Sequence, residues 1–239
     1  MFGLPKDYEK GIVTDKNRFP LSHLKPAERK RFRQSLRSLT LDSVVTDDVI
    51  PSYESGTDSV KAVQFFSADV ESIRSSSFIS GILQRMIKTP CIIRFTDGRE
   101  ELYSFALKRL NLQDKNTIVV TDEFLTNPLS CGVSGEDDRL IQEFAGWDFV
   151  VNKTNLYSWY LEMMVKSYII TNRRMWSGMP GLLSSKVWYN SEDVFFMYDE
   201  LKNLVKFTEE RRNSDTVGNS ARLNSELKDI YDKLNGYFD

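Results

Sequence analysis

Imidazole and thiol are nearly missing from this chain, whose 239 residues include one histidine, His23, and two cysteines, Cys91 and Cys131. A structural zinc site takes four ligands, usually cysteine or histidine, so the composition points away from one. Two cysteines in a chain of this length make no disulfide framework, which agrees with a reducing compartment. A histidine-assisted serine or cysteine hydrolase would have to use His23, which sits in an irregular stretch and reads as a surface or capping residue. Neither Gly-x4-Gly-Lys-Ser/Thr nor Gly-x-Gly-x-x-Gly occurs, so both common nucleotide cradles are missing. No apolar run approaches the roughly 18 residues of a membrane helix, and Met1 to Lys6 lack the charged head and apolar stretch of a secretory signal. The expectation is a cytoplasmic protein with no membrane partner, no cofactor, no metal ligand and no assigned catalytic residue.

What the chain does have is apolar material, with 41% hydrophobic and 12% aromatic residues. That is enough buried surface to offset the chain entropy lost on folding. The formal net charge of -2 argues against coating nucleic acid through bulk positive charge, so any such site must be local.

Residues 1–24, broken by Pro5, Gly11 and Pro20, read as an extended N-terminal arm. Pro26 suits the first turn of a helix, expected to run to about Leu39 with Phe32, Leu36 and Leu39 on one stripe. Residues 60–70 read as a strand on the alternation of Val63 and Phe65 against Gln64. A helix follows from about Ser76 until Pro90 ends it. Cys91 to Phe95 and Glu101 to Leu107 flank Asp97-Gly98, a pair suited to a tight hairpin turn. Thr117 to Thr121 continues the sheet after a turn around Asp114. Residues 126–139 read as an exposed loop, and an aromatic-rich helix capped by Thr154 runs to about Ile170. Asn172 to Ser185 is rich in breakers. From Asp193 onward two helices separated by Asn213 to Asn219 form an antiparallel hairpin. The fold class is α+β: a β-α-β-β-β mixed sheet core with packed helices and a C-terminal helical hairpin. The expected organisation is an arm over 1–24, a core domain over 25–171, a junction over 172–190 and the hairpin over 191–239.

Lys25, Arg29, Lys30, Arg31, Arg33 and Arg37, opposed over that stretch by Glu28 alone, could neutralise phosphates of DNA or RNA and would make binding steeply salt-dependent. A solvated helix face is the bland alternative. Arg173 and Arg174 join the candidate nucleic-acid set because Trp176 stands beside them, although a packed tryptophan is the commoner outcome. Leu201, Leu204, Leu223, Leu227, Ile230 and Leu234 line the hairpin helices and form a candidate partner-binding stripe, with packing onto the protein's own sheet as the default. A divergent Mg²⁺ nuclease would need carboxylates, of which Asp97, Glu100 and Glu101 lie near the sheet hairpin with Lys108. The Glu-x-Lys elements at Glu200 to Lys202 and Glu226 to Lys228 fall on helices rather than a strand.

The order of these features resembles a bacterial family catalogued as domain of unknown function 4391. The likeness starts at Leu4-Pro5 and at Phe19 ahead of the basic helix with Phe32. It continues through Val63-Gln64-Phe65 and ends on Arg222-Leu223-Asn224-Ser225-Glu226-Leu227-Lys228, after the charged run Glu209 to Asn213. The chain departs from the family pattern in the aromatic stretch from Asn172 to Tyr189 and in the loop from Gly132 to Asp138. The resemblance transfers no active-site residue. It implies an accessory part of an anti-phage or restriction-type system, with a helicase or a methyltransferase as the partner. The leading expectation is therefore a non-enzymatic accessory subunit, with a nucleic-acid-binding module and a metal-dependent nuclease as alternatives.

Overall fold

A computed structural model describes residues 2–16, 19–114, 117–133, 135–214 and 216–238. Parts of the expected arm, of the turn after Asp114, of the loop over 126–139 and of the helix connection lie outside the described residues. The chain runs β1 (Glu9–Thr14), α1 (Pro26–Ser35), β2 (Leu36–Thr46), a small two-stranded ribbon of β3 (Tyr53–Glu54) and β4 (Ser59–Val60), then β5 (Ala62–Val70), α2 (Ser76–Met86), β6 (Cys91–Thr96), β7 (Glu100–Leu110), β8 (Ile118–Leu125) and β9 (Leu129–Ser130). Four further helices follow: α3 (Glu136–Ala145), α4 (Leu156–Asn172), α5 (Ser191–Arg212) and α6 (Val217–Asn235). The main sheet has the order β1-β2-β5-β6-β7-β8, with β9 on β7. Only β5 and β6 pair in parallel, joined through α2; the other described pairs are antiparallel.

The α+β class, the strand over 62–70, the helix after it and the β6–β7 hairpin all agree with the sequence reading. Gly98 takes the left-handed φ of +87° that the turn demands, and the Asp97 carboxylate accepts from the backbone N–H of both Arg99 and Glu100 at 3.0 Å. The helix expected to reach Leu39 stops at Ser35, and an eleven-residue strand takes over. The reason is a register shift between Leu36 and Ser38, which places Leu36 and Leu39 in the same buried cluster three residues apart. A β-bulge thus imitates helical spacing. The expected loop over 126–139 already contains the first turn of α3, whose Glu136, Asp137 and Asp138 face the partial positive charge of a helix N-terminus.

Two separate cores lie on the two faces of the sheet. One joins Phe32 of α1 and Ile79 and Leu83 of α2 to Leu36, Phe66, Ala68, Ile93 and Phe95. The other joins Val45, Phe65, Ile92 and Phe105 to α4, α5 and α6. Phe2 belongs to this second core, edge-on to Tyr103 at 5.1 Å, so the expected arm contributes both a core side chain and strand β1.

Helix α4 is buried on nearly every side, from Leu156 to Ile170 apart from Tyr157. Asn155 caps it by accepting from Ser158 N at 2.9 Å, one residue beyond the expected Thr154. The Tyr160 hydroxyl accepts from Ala106 N at 3.0 Å and donates to Ala106 O at 2.8 Å, which docks α4 on β7. Inside the helix, Glu162 and Lys166 form an i, i+4 ion pair at 2.5 Å with side chains 1% and 3% exposed. The Glu162 carboxylate also accepts from Val151 N and Asn152 N at 3.0 and 2.8 Å, and Lys166 donates to Phe149 O at 3.3 Å, so the pair pins the segment that leads into the helix. Burial lowers the Lys166 pKa, with the Glu162 charge opposing. Removing one partner of such a pair leaves an uncompensated buried charge. Lys166→Met is expected to cost about 3–5 kcal/mol in urea unfolding, and Glu162→Gln with Lys166→Met less than the single change.

Candidate nucleic-acid interface

Helix α1 is short, and both of its ends are tied. Pro26 occupies the first helical position, where its missing N–H is no loss, and Glu28 folds back to accept from Lys25 N at 2.8 Å. At the other end, Lys16 Nζ donates to Leu36 O at 2.9 Å and Arg33 O at 3.1 Å. Its anchor in the core is narrow: Phe32, fully buried, meets Phe19 edge-on at 5.8 Å. The rest of its circumference carries cations to solvent.

Lys25, Arg29, Lys30 and Arg33 make no ion pair among the described residues. Arg29, Lys30 and Arg33 line an open recess of about 380 Å³ with Pro26 and Gln34, consistent with one helix stripe at i, i+3/i+4 and i+7/i+8. Arg31 lies over the Phe78 ring at 4.2 Å and so ties α1 to α2. Arg37 is already on β2, where it approaches Asp69 at 3.9 Å with both side chains about half exposed, an ion pair of little weight.

Sequence reasoning did not extend this surface to α2. Arg74 and Lys88 flank that helix, both exposed, and Arg85 on it reaches Glu123 at 3.6 Å. Residues 19–38 and 71–90 together hold nine Lys and Arg against two Asp and Glu, in a chain whose net charge is -2. The remaining sequence is therefore clearly acidic, and the helical layer over one face of the sheet is basic. The signal was present in the sequence as a charge bias, but two segments with 32 residues between them come to one face of the sheet only once β2 and β5 pair.

The other members of the expected nucleic-acid set lie elsewhere. Arg173 caps α4 on the opposite face of the sheet, with an 11% exposed side chain that bonds Glu136 at 2.6 Å and also Asp137. Burial alone would lower its pKa, but the bonds to these two carboxylates outweigh that and raise it. It is a clamp between α3 and α4 rather than a phosphate ligand. Arg174 is exposed beside it, and Trp176 packs on Tyr231 at 5.5 Å and Phe238 at 5.9 Å instead of offering a platform to a base. The expected partner stripe is also corrected: Leu201, Leu204, Leu223, Leu227, Ile230 and Leu234 are between 0% and 5% exposed. They pack α5 and α6 against each other, and all but Leu223 belong to the core cluster that holds α4.

The carboxylates of the nuclease reading have structural partners. Asp97 accepts from Glu100 N, Arg99 N and Ile73 N, which hold its carboxyl below the usual range. Glu101 accepts from the Tyr103 hydroxyl at 3.2 Å and faces Arg94 at 3.8 Å. Lys108 donates to Ile87 O and Thr89 O at 2.8 and 3.1 Å, closing the end of α2. Glu200 pairs with Lys233 at 2.7 Å, and Lys202 with Asp122 at 2.6 Å. Among the described residues no group of three or more His, Cys, Asp or Glu is arranged to hold a metal ion. Nor is any described helix long and apolar enough to cross a membrane.

The model of one family, described as a domain of unknown function (DUF4391), matches residues 2–234. No curated protein and no solved structure matches the chain. Arg173→Ala is expected to lower stability by about 1.5–3 kcal/mol, the usual worth of hydrogen bonds to charged groups. The same change should leave affinity for a DNA duplex as in the parent, read by thermal or urea unfolding beside fluorescence anisotropy.

Proposed function

The chain belongs to the DUF4391 family, and from that premise we propose that it is a non-enzymatic protein that grips the phosphate backbone of a nucleic-acid duplex through α1. The observation that carries this reading is the set of four cations, Lys25, Arg29, Lys30 and Arg33, that make no ion pair among the described residues of a protein of net negative charge. Unpaired cations on a solvent-facing stripe gain by releasing the counterions of a polyanion, whereas paired ones must first give up their partner. The side chains involved are long and mobile, and phosphate contacts of this kind set position without reading sequence.

The form of nucleic acid follows from what accompanies the cations. Binding of single strands draws on aromatic rings that stack the bases. The exposed large apolar residues of the described chain, such as Ile12, Phe149, Tyr189 and Phe196, all fall outside α1 and α2. Phe78, the aromatic ring of α2, is covered by Arg31. A surface with charge but no stacking platform suits a duplex, bound with little preference among sequences.

A second reading, an accessory subunit that holds a protein partner of the helicase or methyltransferase kind, is favoured by a different surface. Phe149, Val151 and Tyr189, exposed by 54%, 46% and 71%, border a recess of about 410 Å³ whose wall includes Trp188 and Leu183. A partner would dock there and not on the leucines of the hairpin. Co-elution with a purified helicase or methyltransferase partner, abolished in Phe149→Glu with Tyr189→Glu, is the expected outcome; co-elution unchanged by that pair would remove this reading.

For the leading proposal, Lys25→Ala, Arg29→Ala, Lys30→Ala and Arg33→Ala together are expected to weaken duplex binding. They should also flatten the dependence of log K on log salt by about 3–4, close to one for each cation removed from a phosphate. Alanine favours helix, so circular dichroism should be unchanged. Parent-like affinity and salt slope in this variant would end the proposal.

A further inference from the structure

On the α4 face of the sheet the row of apolar side chains ends abruptly. Val45, Phe65 and Ile92 belong to the core, whereas Ser43, Ser67 and Arg94, two residues along their strands, line an open cleft of about 490 Å³ with Glu9, Lys10, Gly11 and Asp42. Ser67 and Arg94 are register partners across β5 and β6. They stand toward the carboxyl ends of the one parallel pair in the described sheet, where open sheets with crossover helices place their ligands.

Two irregularities meet at the same spot. The β1–β2 register shifts between Glu9 and Ile12, where Lys10 and Gly11 sit and Gly11 has a φ of +60°. The β2–β5 register shifts between Leu41 and Ser43, which leaves Asp42 without a ladder partner. Bulges re-aim side chains, and here both lie along one wall of the cleft. The freed Asp42 carboxylate accepts from the Ser67 hydroxyl at 2.5 Å.

The donors of the cleft are incompletely used. Arg94 Nε is buried with no hydrogen-bond partner, and its nearest carboxylate, Glu101, is 3.8 Å from Nη1, too far for a good bond. That Nε is enclosed, but the Arg94 side chain as a whole is 36% exposed, and guanidinium N–H groups beyond the long approach to Glu101 have capacity left for a ligand oxygen. Lys10 is exposed at the mouth and makes no ion pair among the described residues. Glu9 and Asp42 disfavour a bare anion, yet Asp42, already an acceptor toward Ser67, has lone pairs left for a ligand hydroxyl.

We propose that this cleft binds a phosphoryl group carried on a hydroxyl-bearing ligand, the class of sugar phosphates and nucleotides, with the phosphoryl oxygens on Arg94 and Lys10 and a ligand hydroxyl donating to Asp42. A guanidinium from β6 and an ammonium from β1 approach from different strands, which suits a tetrahedral oxyanion better than a planar carboxylate held by one fork. The site is separate from the α1 surface and does not depend on duplex binding.

Calorimetric titration of the full chain tests it with ribose 5-phosphate, ribose and inorganic phosphate as the probes. Ribose 5-phosphate is expected to bind at millimolar concentration or better, ribose not measurably, and inorganic phosphate more weakly than the sugar phosphate. Lys10→Gln, at an exposed position that leaves the fold intact, and Arg94→Gln should each weaken ribose 5-phosphate binding by about tenfold or more. The quadruple alanine variant of α1 should bind it as the parent does. No heat with ribose 5-phosphate, affinity unchanged in Lys10→Gln, or binding abolished in the α1 variant would each overturn the proposal.

Discussion

The structure rests on the burial of one helix. Helix α4 is mostly apolar and buried around nearly its whole circumference, and a helix of that kind is stable in water only when it is enclosed. The sheet closes one side through Phe65, Phe105 and the Tyr160 bonds to β7, and α3, α5 and the segment Met179–Ser184 close the others, with α6 packed on α5. The ion pair of Glu162 and Lys166 is the cost of that enclosure turned to use. Its spare bonding capacity fixes Phe149, Val151 and Asn152, which direct the chain into α4. Once α4 is central, the two C-terminal helices have no freedom to form a separate arm. The leucines of α5 help to cover it, and those of α6 pack on α5.

Enclosure of the second face is thinner and chemically different. Two short helices cover it, anchored by few apolar residues such as Phe32, Ile79 and Leu83, and the outer surface of α1 is cationic. On the other side residues 136–239 hold 17 Asp and Glu against 13 Lys and Arg, with acidic first turns in α3 and α5. A protein close to neutral overall thereby carries a basic segment pair on one face of the sheet and a mildly acidic helical segment on the other. Segregation of this kind produces a local field that net charge does not reveal.

Much of this could be read from the residues. Period-two alternation at Val63 and Phe65, the Asp97-Gly98 turn and Pro26 at a helix start each act through local backbone geometry, and each appears where expected. The misreadings have a common source. Leu36 and Leu39 look helical because a bulge in β2 brings them to one side, and a bulge is set by pairing with β5. The acids of α3 look like a loop because their helical role depends on a dipole that exists only after the turn forms. Arg173 looks like a phosphate ligand because its two carboxylate partners lie more than thirty residues away.

By itself the sequence determined the class of fold, the near absence of imidazole and thiol, and the cationic stretch from Lys25 to Arg37, since composition and local spacing carry those properties directly. Tertiary structure alone decided that the hairpin leucines are core, that α1 and α2 cover the same face of the sheet, and that Lys10, Asp42, Ser67 and Arg94 share a cleft. Each of those outcomes depends on which distant strands and helices come together, and pairing partners are chosen by the burial of the whole chain rather than by any segment of it.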